Sequence, residues 1–374
     1  MQPPTDVPPA TPDAPDAPDA PDAQVSAVPI TPSIVIDDVD AAPAPTLTLA
    51  EAELAPSPPS SPSAPIATTD AHTFEGSARS SDGATAPWLL LPPERAYRMY
   101  VPPHRGSDVP MPLVVMIHGC RETATDFERG TRMNASAHRG GFAVLYPEQA
   151  AFANLRRCWN WFEPNTAAGY GECAIILEMI KAAHQHVALD LARVYVAGMS
   201  SGGALAALLA FHHPHVFAAV AVHSGLPPMM PPSAAAAISA MERGVRVDPE
   251  ALADSYWNTH ELPPPPLIIV HGDADPTVTE KNATRLMQVW EKLVESAPQA
   301  TPLTRDARDF ASTESARAYS QIDLQREGRI IIRSMRVHGL AHRWSGGDAA
   351  LPFNDAQGPD ATAAIWKFFE RQQR

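Results

Sequence analysis

Apolar runs of strand length recur along the chain after residue 110, and segments with helical spacing lie between them. The pattern predicts strands at about 112–117, 142–146, 193–197, 218–222, 267–271 and 330–336. Several of these runs are almost continuously apolar, which is typical of parallel strands covered on both faces. Helical patterns lie near 123–134, 171–187, 202–213, 279–293 and 360–372. This alternation predicts an α/β fold with a doubly wound, mostly parallel sheet. A further alternating segment, 95–101, ends at Pro102-Pro103 and predicts an edge strand.

Composition separates the first 72 residues from the rest of the chain. Residues 1–85 contain 13 Asp and Glu against one Arg, so this part carries −12 of the formal net charge of −14. The same part holds 17 of the 41 prolines and a short Ala-Pro-Asp repeat. Such a segment buries too little apolar surface to offset its chain entropy. We therefore expect a disordered tail over residues 1–72 and one α/β domain over residues 73–374.

Several classes of protein are excluded by what the sequence lacks. No apolar run approaches the roughly 20 residues of a transmembrane helix. The N-terminal residues show no positively charged region followed by an apolar segment, so we recognise no secretory signal. There is no phosphate-binding loop motif, no basic stripe for nucleic acid and no His/Cys cluster with metal-ligand spacing. We expect no metal and no cofactor, and the oligomeric state stays open.

A Gly-x-Ser-x-Gly motif, Gly198 to Gly202, follows the apolar strand 194–197 and opens an Ala- and Leu-rich helix. A serine on such a sharp strand-to-helix turn is exposed above the sheet, and small residues two positions away on each side let the backbones pass closely. Ser200 has glycine at both offsets, whereas Ser201 has Met199 on one side. The motif therefore predicts Ser200 as a nucleophile.

A carboxylate and a histidine follow the serine in the order that a Ser-Asp-His triad requires in this type of fold. The strand near 267–270 leads to two acids, Asp273 and Asp275, and the strand near 330–336 leads to two histidines, His338 and His342. Histidine takes the proton of a serine near neutral pH, and a carboxylate fixes its tautomer and stabilises the imidazolium. Either member of each pair satisfies this chemistry.

An oxyanion hole is predicted where the strand 113–117 runs into His118-Gly119-Cys120. In this fold one backbone N–H comes from the loop after that strand and the other from the residue after the nucleophile. Fold position therefore assigns these donors to Cys120 and Ser201. The segment from Pro227 to about Glu261 interrupts the alternation of strands and helices, either as a small cap over the site or as a surface excursion.

With these motifs in place, residues 93–374 resemble the polyhydroxybutyrate depolymerase family of esterases, which has the α/β-hydrolase fold. The resemblance rests on seven motifs in order, at 112–120, 146–149, 158–162, 193–203, 222–226, 271–278 and 339–347. Carried over by position, it implies Ser200 as the nucleophile, Asp275 as the acid, His342 as the base and Cys120 as an oxyanion donor. Ala341 departs from the family pattern, which more often has glycine before the histidine.

The resemblance also implies a serine esterase acting on poly- or oligo(3-hydroxybutyrate) or related short-chain esters, and an extracellular location. Because the family includes feruloyl and acetylxylan esterases, plant polysaccharide esters are the alternative substrates. A peptidase and a non-catalytic binding module are the remaining alternatives. Trp159, Trp161 and Trp344 are candidates for an apolar acyl-binding wall, with Trp344 favoured because it lies two residues from the base. Cys120 and Cys158 both lie in family motifs, and a disulfide between them would brace the oxyanion loop.

Overall fold

The computed structural model describes residues 68–80, 94–105 and 109–374. The predicted tail lies outside these ranges up to residue 67, and its last residues already enter strands. The strands are β1 (Thr68–Thr69), β2 (His72–Arg79), β3 (Glu94–Val101), β4 (His104–Arg105), β5 (Met111–Ile117), β6 (Ala143–Pro147), β7 (Leu189–Met199), β8 (Ala219–His223), β9 (Leu267–Gly272), β10 (Thr304–Phe310), β11 (Tyr319–Arg326), β12 (Arg329–Val337), β13 (Trp344–Ser345) and β14 (Asn354–Asp355). The helices are α1 (Ala124–Thr131), α2 (Met133–Gly140), α3 (Pro164–Ala167), α4 (Glu172–His184), α5 (Ser201–His212), α6 (Ala234–Arg243), α7 (Pro249–Trp257), α8 (Lys281–Glu295) and α9 (Ala361–Phe369).

Ten of these strands form one sheet in the order β10-β11-β12-β9-β8-β7-β5-β6-β3-β2. The six central strands, from β12 to β6, run parallel to one another, and the two strands at each edge pair antiparallel with their neighbours. The chain begins the parallel part at β5, adds β6 on one side and then β7, β8, β9 and β12 on the other. This confirms the predicted doubly wound, mostly parallel sheet. The carboxyl ends of β5, β7, β8, β9 and β12 meet at one edge, where such sheets bind ligands.

Apolar residues of the central strands serve two cores, one on each face of the sheet. In β5, Leu113, Val115 and Ile117 belong to one apolar cluster, while Val114 and Met116 belong to the other, because successive side chains of a strand point to opposite faces. The first cluster includes α4, α5, α7 and α8, and the second includes α1, α2 and α9. Burial on both faces explains why the strand sequence is apolar without interruption.

Helix α5 lies at the centre of the first core. Every residue from Ser201 to Phe211 is buried, so the helix has no polar face. A helix that is apolar all round is typical of the interior of a large domain. Its small Gly and Ala residues allow the helix to lie close against β7 and β8, and its N-terminus is thereby fixed directly behind Ser200.

Two sequence predictions about secondary structure need correction, and some strands were not predicted. The helix predicted over 123–134 is two helices, because Arg132 adopts a left-handed conformation (φ +57°) that ends α1 and starts α2. The strand predicted at the sheet edge, β3, is covered by β2 along its whole length. The strands β10 and β11 were not predicted. Most side chains of β10 are exposed and polar, so the strand lacks the apolar face that a sequence pattern reveals.

The segment between β8 and β9, which the sequence left as either a cap or a surface excursion, contains α6 and α7. The N-cap side chains of Ser233 and Asp248 accept hydrogen bonds from the first turns of these helices. Ala237 and Ala240 anchor α6 to the first apolar cluster. The segment is therefore packed against the domain.

Because α5 is buried on all sides, we expect Leu205→Ala to lower the free energy of unfolding by about 2–5 kcal/mol, the usual cost of removing a fully buried leucine side chain. Leu191→Ala is the matched control. That leucine is 45% exposed, and its truncation should change stability by less than about 0.5 kcal/mol. Urea denaturation of both variants measures the difference, and equal losses would contradict the central position of α5.

Candidate active site

Ser200 occupies the turn between β7 and α5 in a backbone conformation that non-glycine residues rarely adopt, with φ +57° and ψ −121°. Its N–H donates to the carbonyl of His223 at 2.9 Å, which holds the turn against the neighbouring strand. A Cβ on Gly198 would lie 2.2 Å from the Gly202 oxygen, and a Cβ on Gly202 would lie 2.2 Å from the Ile117 oxygen. Only glycine fits at these two positions, so the turn has the geometry of a nucleophile elbow.

Ser201 differs from Ser200 in backbone and in contacts. It is the first residue of α5 and has no positive φ. Its hydroxyl accepts a hydrogen bond from the Trp159 N–H at 3.3 Å and lies 3.5 Å from the Sγ of Cys120. The Ser201 side chain therefore connects the start of α5 to two neighbouring loops, while Ser200 occupies the strained position.

Asp275 follows β9, and its carboxylate is fully buried. One oxygen lies 2.7 Å from Nδ1 of His342, and the other accepts the N–H groups of Thr277 and Val278 at 2.8 and 2.9 Å. Burial alone would raise the pKa of Asp275, but the hydrogen bond and charge of His342, with the Val278 amide, hold that pKa below its usual value. The carboxylate is thus ionised and placed to fix the His342 tautomer.

The two alternatives left open by the sequence, Asp273 and His338, form a second pair. Asp273 lies 2.8 Å from Nδ1 of His338 and accepts the Gly339 N–H at 2.7 Å. The His338 side chain is 43% exposed, whereas that of His342 is 12% exposed. The cavity beside Ser200 is lined by His342 and not by His338. The structure thus places one Asp–His pair at the cavity and the other at the surface.

The loop after β5 is held by His118. Its Nδ1 lies 2.7 Å from the Gly119 carbonyl, and its Nε2 accepts the Gln149 N–H at 3.1 Å. Burial lowers the pKa of His118 to about 4, so the ring is neutral and Nδ1 carries the donated proton. In a trans peptide the carbonyl and the following N–H point in opposite directions. Fixing the Gly119 carbonyl therefore also fixes the direction of the Cys120 N–H.

Cys120 and Cys158 form a disulfide that joins this loop to the segment before Trp159. The bond closes a loop of 38 residues in sequence separation. Cys173, in α4, is buried and retains its thiol. The predicted oxyanion residue is thus tied covalently to a second wall of the cavity.

A cavity of about 390 Å³ opens beside Ser200 and His342. The two loops joined by the disulfide supply its charged and amide side chains, Arg121, Glu122, Asn154 and Arg156. The remaining lining is mostly apolar and includes Trp161, Phe162, Met199, Leu226, Ala234, Ala237, Ile238, Met241, Val278 and Phe353. Four of these residues belong to α6, so the segment between β8 and β9 contributes one wall.

Of the three tryptophans expected at an acyl-binding wall, Trp161 lines the cavity, and the expectation is wrong for Trp159 and Trp344. Trp344 is buried under the His342 loop, where it stacks on His223 at 4.9 Å and donates to the Thr362 hydroxyl at 3.1 Å. Trp159 is fully buried against His118. Both rings belong to the core, because adjacent loops cover them completely.

The sequence analysis did not identify Glu122 or the residues of α6 as part of the cavity lining. Nothing in the pattern distinguishes Glu122 from a solvated loop residue, since its burial depends on the fold of the β5–α1 connection. The α6 residues form an ordinary Ala-rich stretch in the sequence.

Over the described residues, no group of three or more His, Cys, Asp or Glu side chains is arranged to hold a metal ion. Across the same ranges, every helix falls short of the length and apolarity that a membrane span requires.

The disulfide predicts that titration of the unfolded, unreduced protein detects one thiol per chain, that of Cys173, and that reduction raises the count to three. We also expect reduction of the native protein to lower kcat, because the Cys120 loop loses its covalent tie. Three thiols before reduction would contradict the pairing. Unchanged kcat after verified reduction would show that hydrogen bonds alone hold the loop.

Comparison with known proteins relates this chain to a family. The family described as Esterase PHB depolymerase matches residues 95–307. The poly(3-hydroxyalkanoate) depolymerase C of Paucimonas lemoignei is 34% identical over 241 residues, which cover 63% of this chain and 56% of the relative. The feruloyl esterase B of Neurospora crassa is 30% identical over 192 residues, covering 49% and 65% of the two chains. The matches thus span between about half and two thirds of these relatives.

A solved acetyl xylan esterase from Aspergillus awamori has the same fold, with a TM-score of 0.57 at 20% identity, covering 74% of this chain and 94% of that one. This likeness confirms the α/β-hydrolase architecture expected from the sequence. The family match extends over more than half of the chain and includes Ser200 and the loop that carries Asp273 and Asp275. The chain therefore belongs to the PHB depolymerase family of esterases, within the α/β-hydrolase superfamily.

Proposed function

We propose that this protein is a serine esterase that hydrolyses carboxylic esters through an acyl-enzyme intermediate. One arrangement carries the proposal: Ser200, on its strained turn, lines the same cavity as His342, which is hydrogen-bonded to the buried carboxylate of Asp275. Membership in a family of carboxylic ester hydrolases supports it independently. The roles of the three residues follow from their chemistry.

In the first half of the reaction, His342 takes the proton of Ser200 as Oγ attacks the ester carbonyl. Asp275, bonded to Nδ1, leaves Nε2 of the ring to act as the base and stabilises the imidazolium that forms. The carbonyl oxygen becomes an oxyanion, which accepts the N–H groups of Cys120 and Ser201. His342 then donates its proton to the leaving alcohol, and an ester between Ser200 and the acyl group remains.

In the second half, water enters the place of the alcohol. His342 removes a proton from this water as it attacks the acyl carbon, and the same two amides stabilise the second oxyanion. The tetrahedral intermediate collapses, Ser200 regains its proton from His342, and the carboxylic acid leaves. Every proton transfer uses one histidine, which the Asp275 hydrogen bond holds in a fixed orientation.

We propose esters of short apolar acids as the substrate class, with poly- or oligo(3-hydroxybutyrate) as the leading candidate. The cavity volume of about 390 Å³ lies in the range of small-molecule sites and suits a few monomer units. The α6 wall supplies an apolar surface for a short acyl chain. The relative from Paucimonas lemoignei bears the name of a poly(3-hydroxyalkanoate) depolymerase, which supports this class for the present chain.

A feruloyl or acetylxylan ester is the second candidate, because Trp161, Phe162 and Phe353 line the cavity. Aromatic rings of this kind favour an aromatic acyl group through stacked or edge-to-face contacts. Two of the matched relatives are a feruloyl esterase and an acetylxylan esterase. A kcat/KM for methyl ferulate above that for 3-hydroxybutyrate oligomers would favour this candidate over the first.

Turnover of p-nitrophenyl esters from acetate to decanoate tests the nucleophile and the acyl pocket together. We expect the wild type to prefer short chains and Ser200→Ala to lower kcat on the order of 10⁴-fold or more, since the serine and its base act as a unit. Turnover that is equal in both proteins, or absent from both, would contradict the esterase proposal and favour a non-catalytic binding module.

The two Asp–His pairs provide a matched test of the acid. We expect Asp275→Asn to lower kcat by about 10³- to 10⁴-fold, because an amide no longer holds His342 in the productive tautomer. Asp273→Asn alters the same loop and breaks the exposed pair with His338, and it should leave kcat close to that of the wild type. If Asp273→Asn were the damaging change, the base would be His338.

A further inference from the structure

Glu122 is a buried acid that the proposed mechanism does not use. It lies in the β5–α1 connection, is 3% exposed and contributes to the lining of the cavity. Among the ion pairs of the described residues, none includes Glu122. A buried carboxyl group without a cation beside it lowers the stability of the fold unless it is protonated or hydrogen-bonded. The position of Glu122 therefore needs a physical explanation.

The contact that Glu122 makes is specific. Its Oε2 accepts the Gly119 N–H at 2.9 Å, across three residues of the same loop. The Gly119 carbonyl is held at 2.7 Å by His118. Both polar groups of Gly119 are therefore fixed by side chains on either side of it in the sequence. The next amide along the chain is that of Cys120, the proposed oxyanion donor.

The loop also lies against the nucleophile. A Cβ on Gly119 would lie 3.0 Å from Oε2 of Glu122 and 3.4 Å from Cβ of Ser200. A rotation of the Gly119 backbone by a small angle would thus move the Cys120 N–H relative to the serine. An oxyanion hole depends on donors held within a few tenths of an ångström before the reaction begins.

We propose that Glu122 is a positioning residue of the oxyanion hole, whose carboxyl group holds Gly119 so that the Cys120 N–H faces the reacting carbonyl. The inference rests on the esterase function proposed above. It assigns to Glu122 no contact with the substrate and no proton transfer. Its effect is on kcat, because the orientation of the amide matters most when negative charge develops on the carbonyl oxygen.

The charge of Glu122 follows from the same surroundings. Burial raises its pKa to about 8, the Gly119 N–H opposes this rise, and Asp126 of α1 adds to it. The other charged or titratable groups on the cavity are Arg121, Arg156 and His342. A neutral carboxyl still accepts the Gly119 N–H through its carbonyl oxygen. It also places no negative charge beside the developing oxyanion, so the neutral form is the more active one.

Two variants test the proposal. Glu122→Gln keeps a carbonyl acceptor of the same reach and does not titrate, so we expect near-wild-type kcat at pH 7 and no fall in kcat as the pH passes about 8, where the wild type declines. Glu122→Leu removes the acceptor at similar volume. It should lower kcat by about 10- to 100-fold with little change in KM, less than the 10²- to 10³-fold cost of deleting an oxyanion-hole donor.

Stability against pH gives a readout that needs no activity. The carboxyl has a raised pKa when folded, so the folded wild type loses stability as the pH rises from about 4.5, its ordinary pKa, to about 8, and no further above that. The Gln variant lacks this loss. Its Tm relative to the wild type should therefore increase between pH 5 and pH 8. If the difference in Tm between Glu122→Gln and the wild type did not depend on pH, the claim that the buried Glu122 carboxyl is neutral would be wrong.

The outcomes separate this inference from the esterase proposal. A wild type without Ser200-dependent turnover of p-nitrophenyl butyrate overturns both. A wild type that is active, with a Glu122→Leu variant that folds and keeps full kcat, overturns only the role of Glu122. If the Leu variant does not fold, the Gln variant decides: an alkaline fall in kcat that persists in Glu122→Gln overturns the proposal.

Discussion

The close approach of β7, α5 and β5 around Ser200 is the constraint on which the rest of the site depends. A Cβ on Gly202 would lie only 2.2 Å from the backbone oxygen of Ile117, so the end of β5 and the start of α5 touch without side chains between them. This contact brings the loop after β5 beside Ser200. The same contact requires Ser200 to adopt its unusual backbone conformation, and burial of α5 on every side supplies the stability that maintains it.

The two Asp–His pairs show how residues of the same type, close together in sequence, reach different positions in the fold. Asp273 and Asp275, like His338 and His342, are neighbours in sequence, and each pair offers the same chemistry. Backbone bonds from Asp273 to Val337 and from Ala274 to Leu340 tie the two loops together. Within this frame one Asp–His pair faces the cavity and the other faces outward. Spacing alone does not choose between them, because the choice depends on the direction of each turn.

The parallel core and the elbow could be predicted because each has a local cause. Burial on both faces produces uninterrupted apolar strands, and the tight turn requires glycines at fixed offsets. The edge strand β10 could not, since most of its side chains are exposed and polar, and β11 could not, since its side chains are buried or half-buried without a period-two alternation. Trp344 was misassigned because its nearness to His342 in sequence is not nearness to the cavity. Glu122 was missed because only the folded loop buries it.

Burial around the site also determines where charge is available. His118 is kept neutral by burial, and burial likewise lowers the pKa of His223 to about 3. Their ring nitrogens bond to backbone and hydroxyl groups, so they act as fixed dipoles. The carboxylate of Asp275 lies 2.7 Å from Nδ1 of His342 and also accepts the amides of Thr277 and Val278. An ionised Asp275 beside His342, with the neutral rings of His118 and His223 nearby, suits the proposed reaction, in which negative charge appears briefly on the carbonyl oxygen of the ester.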